Sequence, residues 1–413
     1  MRVFVPTEAK FVHGADASTV CPCERTHTLE FWERYLDAFD DLILTGRIVH
    51  QSTGSLPPLD SSNIRFVAIP LDAGVYGFVT TLLRLNRILR ENPDVAVCLR
   101  MPTVTSAIVG LFCLVRGRPF GVEVVGDPSR ALKQEKGGTV KIEAARRFLT
   151  FAQRFLCRRA IATAYVTERV LQSEYPPDKR RFTTNFSSIT LREDNFRFRR
   201  GDEVSSMTLI NVGSMGKTLY KGQDILIRSM EVLLPEFKNI KLLLVGGGVG
   251  RAKLEKLVHE KGLADSVVFC GHVKDRGKLE ALLDQSDLFV FPSRTEGLPK
   301  ALIEAMARGL PAVGTRVGGI VELLPEESLC AAGDVNGLAD LIRKNLLDGA
   351  RLSACGTRNY EKAREFEVSR IMSRRRAYYL EVKKAALMCG GRRAWAANGG
   401  SSRFLRGVAG SKK

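Results

Sequence analysis

Glu296 and Glu304 stand with seven residues between them in the stretch DLFVFPSRTEGLPKALIEAMARGLP, residues 287–311. The chain around them dictates how they are presented. Residues 288–291 are an apolar run of the length of a buried strand. Pro292, Ser293, Arg294, Thr295, Glu296 and Gly297 follow as a cluster of turn formers. Pro299 suits the first position of a helix, where its missing N–H costs nothing. Ala301, Leu302, Ala305 and Met306 give that helix an apolar face, and Gly309 ahead of Pro311 stops it. A strand, a turn and a helix N-terminus aimed out of a sheet offer free N–H groups and the positive end of a dipole, a ready seat for phosphate. Glu296 lies in the turn and Glu304 about a turn and a half into the helix. The plain alternative is a loop acid and a solvated helix residue. Against it, Glu304 sits among Ile303, Ala305 and Met306, close to a core face.

This string resembles the glutamate–seven residues–glutamate motif of glycosyltransferase family four, retaining transferases with the GT-B fold. The match extends through P-S-R-T-E-G-L-P on one side and E-A-M-A-R-G-L-P on the other. The resemblance implies an α/β chain of two Rossmann-like domains whose parallel sheets face each other across a cleft, with a C-terminal helix crossing back to the first domain. It implies that Glu304 holds the ribose hydroxyls of a sugar nucleotide and that Glu296 lies beside the donor sugar. The N–H groups of Gly297 and Leu298 would face the diphosphate.

Further phosphate ligands are expected where the second domain opens, at Gly213-Ser-Met-Gly-Lys217 and Lys221-Gly222. In the family an arginine just after this first glycine and a lysine before a later glycine clasp the diphosphate. Lys221 matches the lysine, whereas Ser214 occupies the arginine position. Lys217 is one substitute, although a lysine lacks arginine's fork. Arg294 is a second candidate cation. Gly246, Gly247 and Gly248 form a tight strand-to-helix turn that resembles a dinucleotide fingerprint, a weak signal alone. The acid expected at the end of the next strand of a nicotinamide site is missing. His272 there is expected near the nucleotide base.

The first domain supplies the acceptor side. Arg100, in Arg100-Met101-Pro102, stands where many relatives carry a histidine two residues before the proline. It stays protonated and is no general base, but it can hold a phosphate or an acidic acceptor. Asp127, at the next strand end, is the acid–base candidate, with a turn residue before Pro128 as the alternative. Gly14 and Asp16 are expected in a loop facing the donor phosphates. The catalytic candidates are therefore Glu296, Asp127 and Arg100. The donor candidates are Lys221, Lys217, Gly213, Gly247, His272, Arg294, Gly297, Leu298 and Glu304.

The elements that must position these residues alternate between strand and helix, which predicts parallel sheets with right-handed crossovers. At 413 residues the chain suits two domains with full cores. We expect an acceptor domain over 1–195, a nucleotide-sugar domain over 205–350, returning helices over 351–388 and a disordered basic tail over 389–413. Aromatic residues at helical spacing predict a helix over 28–39, with residues 11–16 as a loop. No apolar run reaches membrane-spanning length, and the N-terminus lacks the layout of a signal peptide. The nine cysteines are scattered, and Cys21 and Cys23 lack the second pair of a zinc site. Reduced thiols in the cytoplasm are expected.

The net charge of +18 is uneven: residues 116–200 carry 19 basic and 9 acidic side chains. In that block, residues 140–162 alternate arginines with phenylalanines and leucines. This reads either as an ordinary amphipathic helix or as a membrane-surface element. An anionic membrane is favoured over nucleic acid, because no nucleic-acid-binding module appears. The resemblance implies a retaining transferase moving a sugar from a nucleoside diphosphate to a saccharide or lipid-linked acceptor, and the basic block adds the expectation that it is peripheral on the inner face of the cytoplasmic membrane. No cofactor is expected, and no aspartate–x–aspartate motif marks a metal site. Alternatives are an epimerase or hydrolase of the same fold, or a basic nucleic-acid-binding protein.

Overall fold

A computed structural model describes residues 1–14, 19–23, 27–49, 56–71, 74–133, 140–189, 191–198 and 207–397. The first domain runs β1 (Arg2–Val5), β2 (Lys10–His13), β3 (Val20–Pro22), α1 (Leu29–Glu33), β4 (Asp41–Ile48), β5 (Ile64–Ala68), α2 (Gly74–Glu91) and β6 (Ala96–Met101). It continues through α3 (Val104–Val115), β7 (Gly121–Val124), α4 (Pro128–Lys133), α5 (Val140–Arg159), β8 (Ala162–Tyr165), α6 (Val170–Glu174) and β9 (Phe182–Asn185). Its sheet has the order β3-β2-β4-β1-β6-β7-β8-β9, with β5 on β4. Among the described residues only β2 and β3 pair antiparallel.

The second domain runs β10 (Thr208–Val212), α7 (Gln223–Leu233), β11 (Lys241–Val245), α8 (Arg251–Glu260), β12 (Val267–Gly271), α9 (Arg276–Asp284), β13 (Leu288–Phe291) and α10 (Lys300–Ala307). After it come β14 (Ala312–Thr315), α11 (Ile320–Leu323), β15 (Leu329–Cys330) and α12 (Val335–Leu346). The sheet order β12-β11-β10-β13-β14-β15 reverses direction between β10 and β13. At such a switch point the crossover helices diverge and leave a crevice at the strand ends. Leu288, Phe289, Val290 and Phe291 are buried on both faces, as a central parallel strand requires.

Two helices close the chain, α13 (Gly349–Ala363) and α14 (Val368–Ala397). They break at a short 3-10 turn, where the Val368 N–H donates to Leu191 O at 2.7 Å and ties the return to the interdomain connector. α14 then crosses to the first domain and buries Tyr378 and Tyr379 completely. Together these features form the GT-B arrangement.

Several sequence expectations need correction. Residues 10–13 are strand β2 rather than loop, and Asp16 lies outside the described residues. The helix expected over 28–39 is α-helical only to Glu33, because packing of Trp32, Tyr35 and Phe39 into the core overrides the local period. Trp32, Tyr35 and Phe39 are core, whereas Phe31 is only half-buried and lines the cleft. Helix α14 continues to Ala397, so part of the tail expected to be disordered is helical; residues 398–413 lie outside the described residues.

Candidate functional site

The turn between β13 and α10 holds Glu296 at the switch point. Lys221, at the N-terminal end of α7, reaches Glu296 Oε1 with its Nζ at 2.7 Å. Ser293 Oγ donates to the same oxygen at 2.7 Å. The lysine stem lies over Gly213, where an added Cβ would come within 3.3 Å of Lys221 Cγ. Gly222 must be glycine: its φ is +74°, and a Cβ there would stand 2.0 Å from Pro292 O. Lys221, Gly213 and Glu296 are thereby brought together from two crossover units.

A second glycine fixes the height of the turn. A Cβ on Gly318, whose φ is +49°, would stand 2.0 Å from Glu296 O. Next to it the Gly319 N–H donates to Gly297 O at 2.7 Å. On its other side Gly297 presses against the first domain, where a Cβ would meet Val125 O at 2.6 Å. Among the described residues no acceptor takes the N–H groups of Gly297 and Leu298. They and the first amides of α10 are available to an anion.

Glu304 lies on α10 and lines a cavity of about 460 Å³ between the domains. Arg276 and Lys300 line the same wall, and Thr28, Phe31 and Arg34 face them from the first domain. Lys300 is largely withdrawn from water. Burial first, and then Arg34, pull its amine down from 10.5 to about 8, against the opposing pull of Glu304. Across from it, burial, then Arg100, Lys300 and Arg34, push His27 down to about 3 and keep it neutral. Gly247 backs onto His272, which is exposed at the rim of the β12 end. Lys217 and Ser214 are exposed on the loop after β10, where Ser214 Oγ lies 3.3 Å from Tyr220 OH.

Three sequence candidates are held elsewhere. Arg294 forms a two-pronged pair with Asp224, both contacts at 2.8 Å, and donates to Leu219 O, so it fastens the turn to α7 instead of facing a donor. Asp127 caps α4: it accepts from the Ser129 N–H at 2.8 Å, the Ser129 hydroxyl at 2.7 Å and Tyr175 OH, and pairs with Arg130. That is the turn-residue alternative rather than an acid–base position. Arg100 donates to Glu123 Oε2 at 3.0 Å inside a nearly buried network.

Sequence reasoning missed Lys300, His27, Arg34, Glu123 and Glu322. Lys300 left a signal, because a lysine in the first turn of a helix opposes the macrodipole. Glu322 left none. Its carboxylate accepts the N–H groups of Glu168, Arg169 and Val170 at 2.6, 2.8 and 2.6 Å, which fastens the second domain onto the start of α6 in the first.

Two facing Rossmann-like domains, with an anion-ready helix terminus at the switch point, have the arrangement of the GT-B fold. Residues 193–362 match the family of glycosyl transferases group 1, and the chain is a glycosyltransferase. It is similar to the protein CapJ of Staphylococcus aureus, at 25% identity over 86% of this chain and 90% of that one. It is also similar to the N-acetyl-alpha-D-glucosaminyl L-malate synthase of Bacillus anthracis, at 33% identity over 44% of this chain and 47% of that one. Among solved structures, Anabaena Alr3699/HepE in complex with UDP superimposes with a TM-score of 0.63 at 15% identity, covering 90% of this chain and 97% of that one. The fold is shared.

Proposed function

We propose that this protein transfers a sugar, with retention of configuration, from a nucleoside-diphosphate sugar to a saccharide or lipid-linked saccharide in the assembly of a surface polysaccharide or glycolipid. The observation that carries this reading is the convergence of Lys221 Nζ on Glu296 at 2.7 Å, beside the open amides of Gly297 and Leu298. A diphosphate entering there takes the lysine and the amides as its ligands. Charge on the leaving group is then met where it develops. These protein groups supply that charge without a metal. Glu304 holds the ribose hydroxyls. No covalent nucleophile is assigned: Glu296 orients the donor sugar, and a phosphate oxygen assists the incoming hydroxyl on the same face. UDP bound to a protein of the same fold supports a nucleotide donor.

A thermal-shift screen against UDP, GDP, ADP and NAD tests the reading. One nucleoside diphosphate is expected to raise the Tm, by roughly 2.7 kcal/mol of stability at a hundredfold excess over its Kd, and Glu304→Ala is expected to abolish the rise. A response to NAD alone, or one unchanged in Glu304→Ala, contradicts it.

The acceptor side is read as peripheral to an anionic membrane. No described helix is long and apolar enough to cross one. Helices α2, α3 and α5 adjoin. Val75 and Tyr76 on α2 are 83% and 78% exposed, Val115 on α3 is 87% exposed and Phe151 on α5 is 68% exposed. The basic face of α5 runs beside Phe148 and Phe151. Apolar residues interleaved with arginines suit a surface of anionic lipid. Co-sedimentation with phosphatidylglycerol vesicles is expected, weakened in Tyr76→Ser/Phe151→Ser and in high salt. Equal binding to phosphatidylcholine vesicles would contradict it.

A further inference from the structure

We propose that Lys300 is a donor-phosphate ligand, the cation that takes the place of the arginine absent at Ser214. This rests on the reading of the cleft as a nucleoside-diphosphate-sugar site. Lys300 is the first residue of α10. It lies one turn before Glu304, so the two side chains share a face of the helix. It also lies three residues after Gly297. Lys300 therefore stands between the carboxylate read as the ribose ligand and the amides read as facing the diphosphate, where the phosphate nearest the ribose must run.

Lys300 also lacks what the neighbouring cations have. Around the cavity Arg34 and Arg100 share Glu123, Arg375 pairs with Asp37, Arg276 with Glu280 and, at 3.9 Å, Arg192 with Glu30. Lys221 and Arg294 have Glu296 and Asp224. Lys300 makes no ion pair or hydrogen bond with a described residue.

Its surroundings oppose its charge. It sits at the positive end of the α10 dipole. His27, Arg34 and Arg100 face it from the first domain, and Arg276 lines its cavity wall from α9, with Arg192 of the connector and Arg375 of α14 further round. Among the described residues Glu304 is the acid that acts on it. A desolvated cation held among cations costs stability unless an anion arrives. Such a group in a cleft marks a ligand position when geometry agrees. Here the geometry agrees, because the open amides and Lys221 converge on the same end of α10. Lys217, the substitute suggested by sequence, is exposed on the outer loop.

The test is calorimetric titration of the full chain with UDP, GDP and ADP and the three matching nucleosides, on wild type, Lys300→Met, Lys300→Arg, Lys217→Met and Lys221→Met. Lys300→Met is expected to weaken the preferred diphosphate by about tenfold or more, the loss of one charge-assisted hydrogen bond, and to leave the nucleoside unchanged. Its ligand-free Tm is expected to lie above that of wild type at neutral pH, since an unpaired buried charge is gone. Wild-type affinity is expected to fall as pH rises past about 8, where the lysine loses its proton, whereas Lys300→Arg stays charged and keeps its affinity there. If wild type binds a diphosphate and Lys221→Met weakens it while Lys300→Met does not, this proposal alone falls; weakening in Lys217→Met would then return the role to Lys217. If Lys300→Met lowers the Tm and weakens nucleoside and diphosphate equally, Lys300 is structural and the proposal falls. If wild type binds no nucleoside diphosphate, the donor-site reading falls and takes this proposal with it.

Discussion

Replacing Lys221 with methionine lowers kcat/KM for release of the nucleoside diphosphate by about a hundredfold to a thousandfold, the cost of removing one preorganised donor from a developing anion. The ammonium group is held by Glu296 at 2.7 Å and by the ring faces of Tyr220 and Phe291 at 5.1 and 5.3 Å, so its position is set before the donor arrives. Steady-state kinetics in the presence of EDTA checks both the loss and the proposal that the protein's own cations suffice. A variant with wild-type kcat/KM would remove Lys221 from the chemistry. Near-ultraviolet circular dichroism should match wild type, because Lys221 contributes little to the core.

The largest expected effect on stability lies elsewhere. Glu123→Gln destabilises the fold by about 3–5 kcal/mol, the range for breaking a buried ion pair from one side. Glu123 Oε2 accepts from Arg34, Tyr35 and Arg100, each at 3.0 Å, and the side chains of Glu123 and Arg34 are 3% and 5% exposed. Removing the carboxylate charge leaves two guanidinium groups beneath α14 and beside the cavity without a counter-charge. The urea midpoint is the readout. Glu326→Gln, which breaks the exposed pair with Arg316, is the control and should cost under about 1 kcal/mol. Equal effects from both variants would show that the buried network adds nothing beyond surface charge.

The second domain was legible almost residue by residue, because its signals are local. The runs of β10 and β11 each stop at a glycine, Gly213 and Gly246, that of β13 stops at Pro292, and α10 is bounded by Pro299 and Gly309. The first domain was less so. The pairing of β2 with β3 and β4 depends on partners distant in sequence, and α1 is cut short by packing that no period reveals. The fate of each site residue divides the same way. Lys221 and Glu296 meet because a glycine-bounded turn aims each of them at the switch point. Arg294, Asp127 and Arg100 were misread because Asp224, Tyr175 and Glu123 claim them from 70, 48 and 23 positions away. A side chain's type shows what it can bind; which distant partner reaches it first is decided by the fold.

The most direct test of the donor site is a crystal structure with the nucleoside diphosphate that raises the Tm. The diphosphate is expected within hydrogen-bond distance of Lys221 Nζ and of the Gly297 and Leu298 N–H groups, with the ribose hydroxyls on Glu304 and Lys300 Nζ turned to the phosphate nearer the ribose. A nucleotide seated away from the start of α10, or one whose ribose leaves Glu304 untouched, would contradict the account.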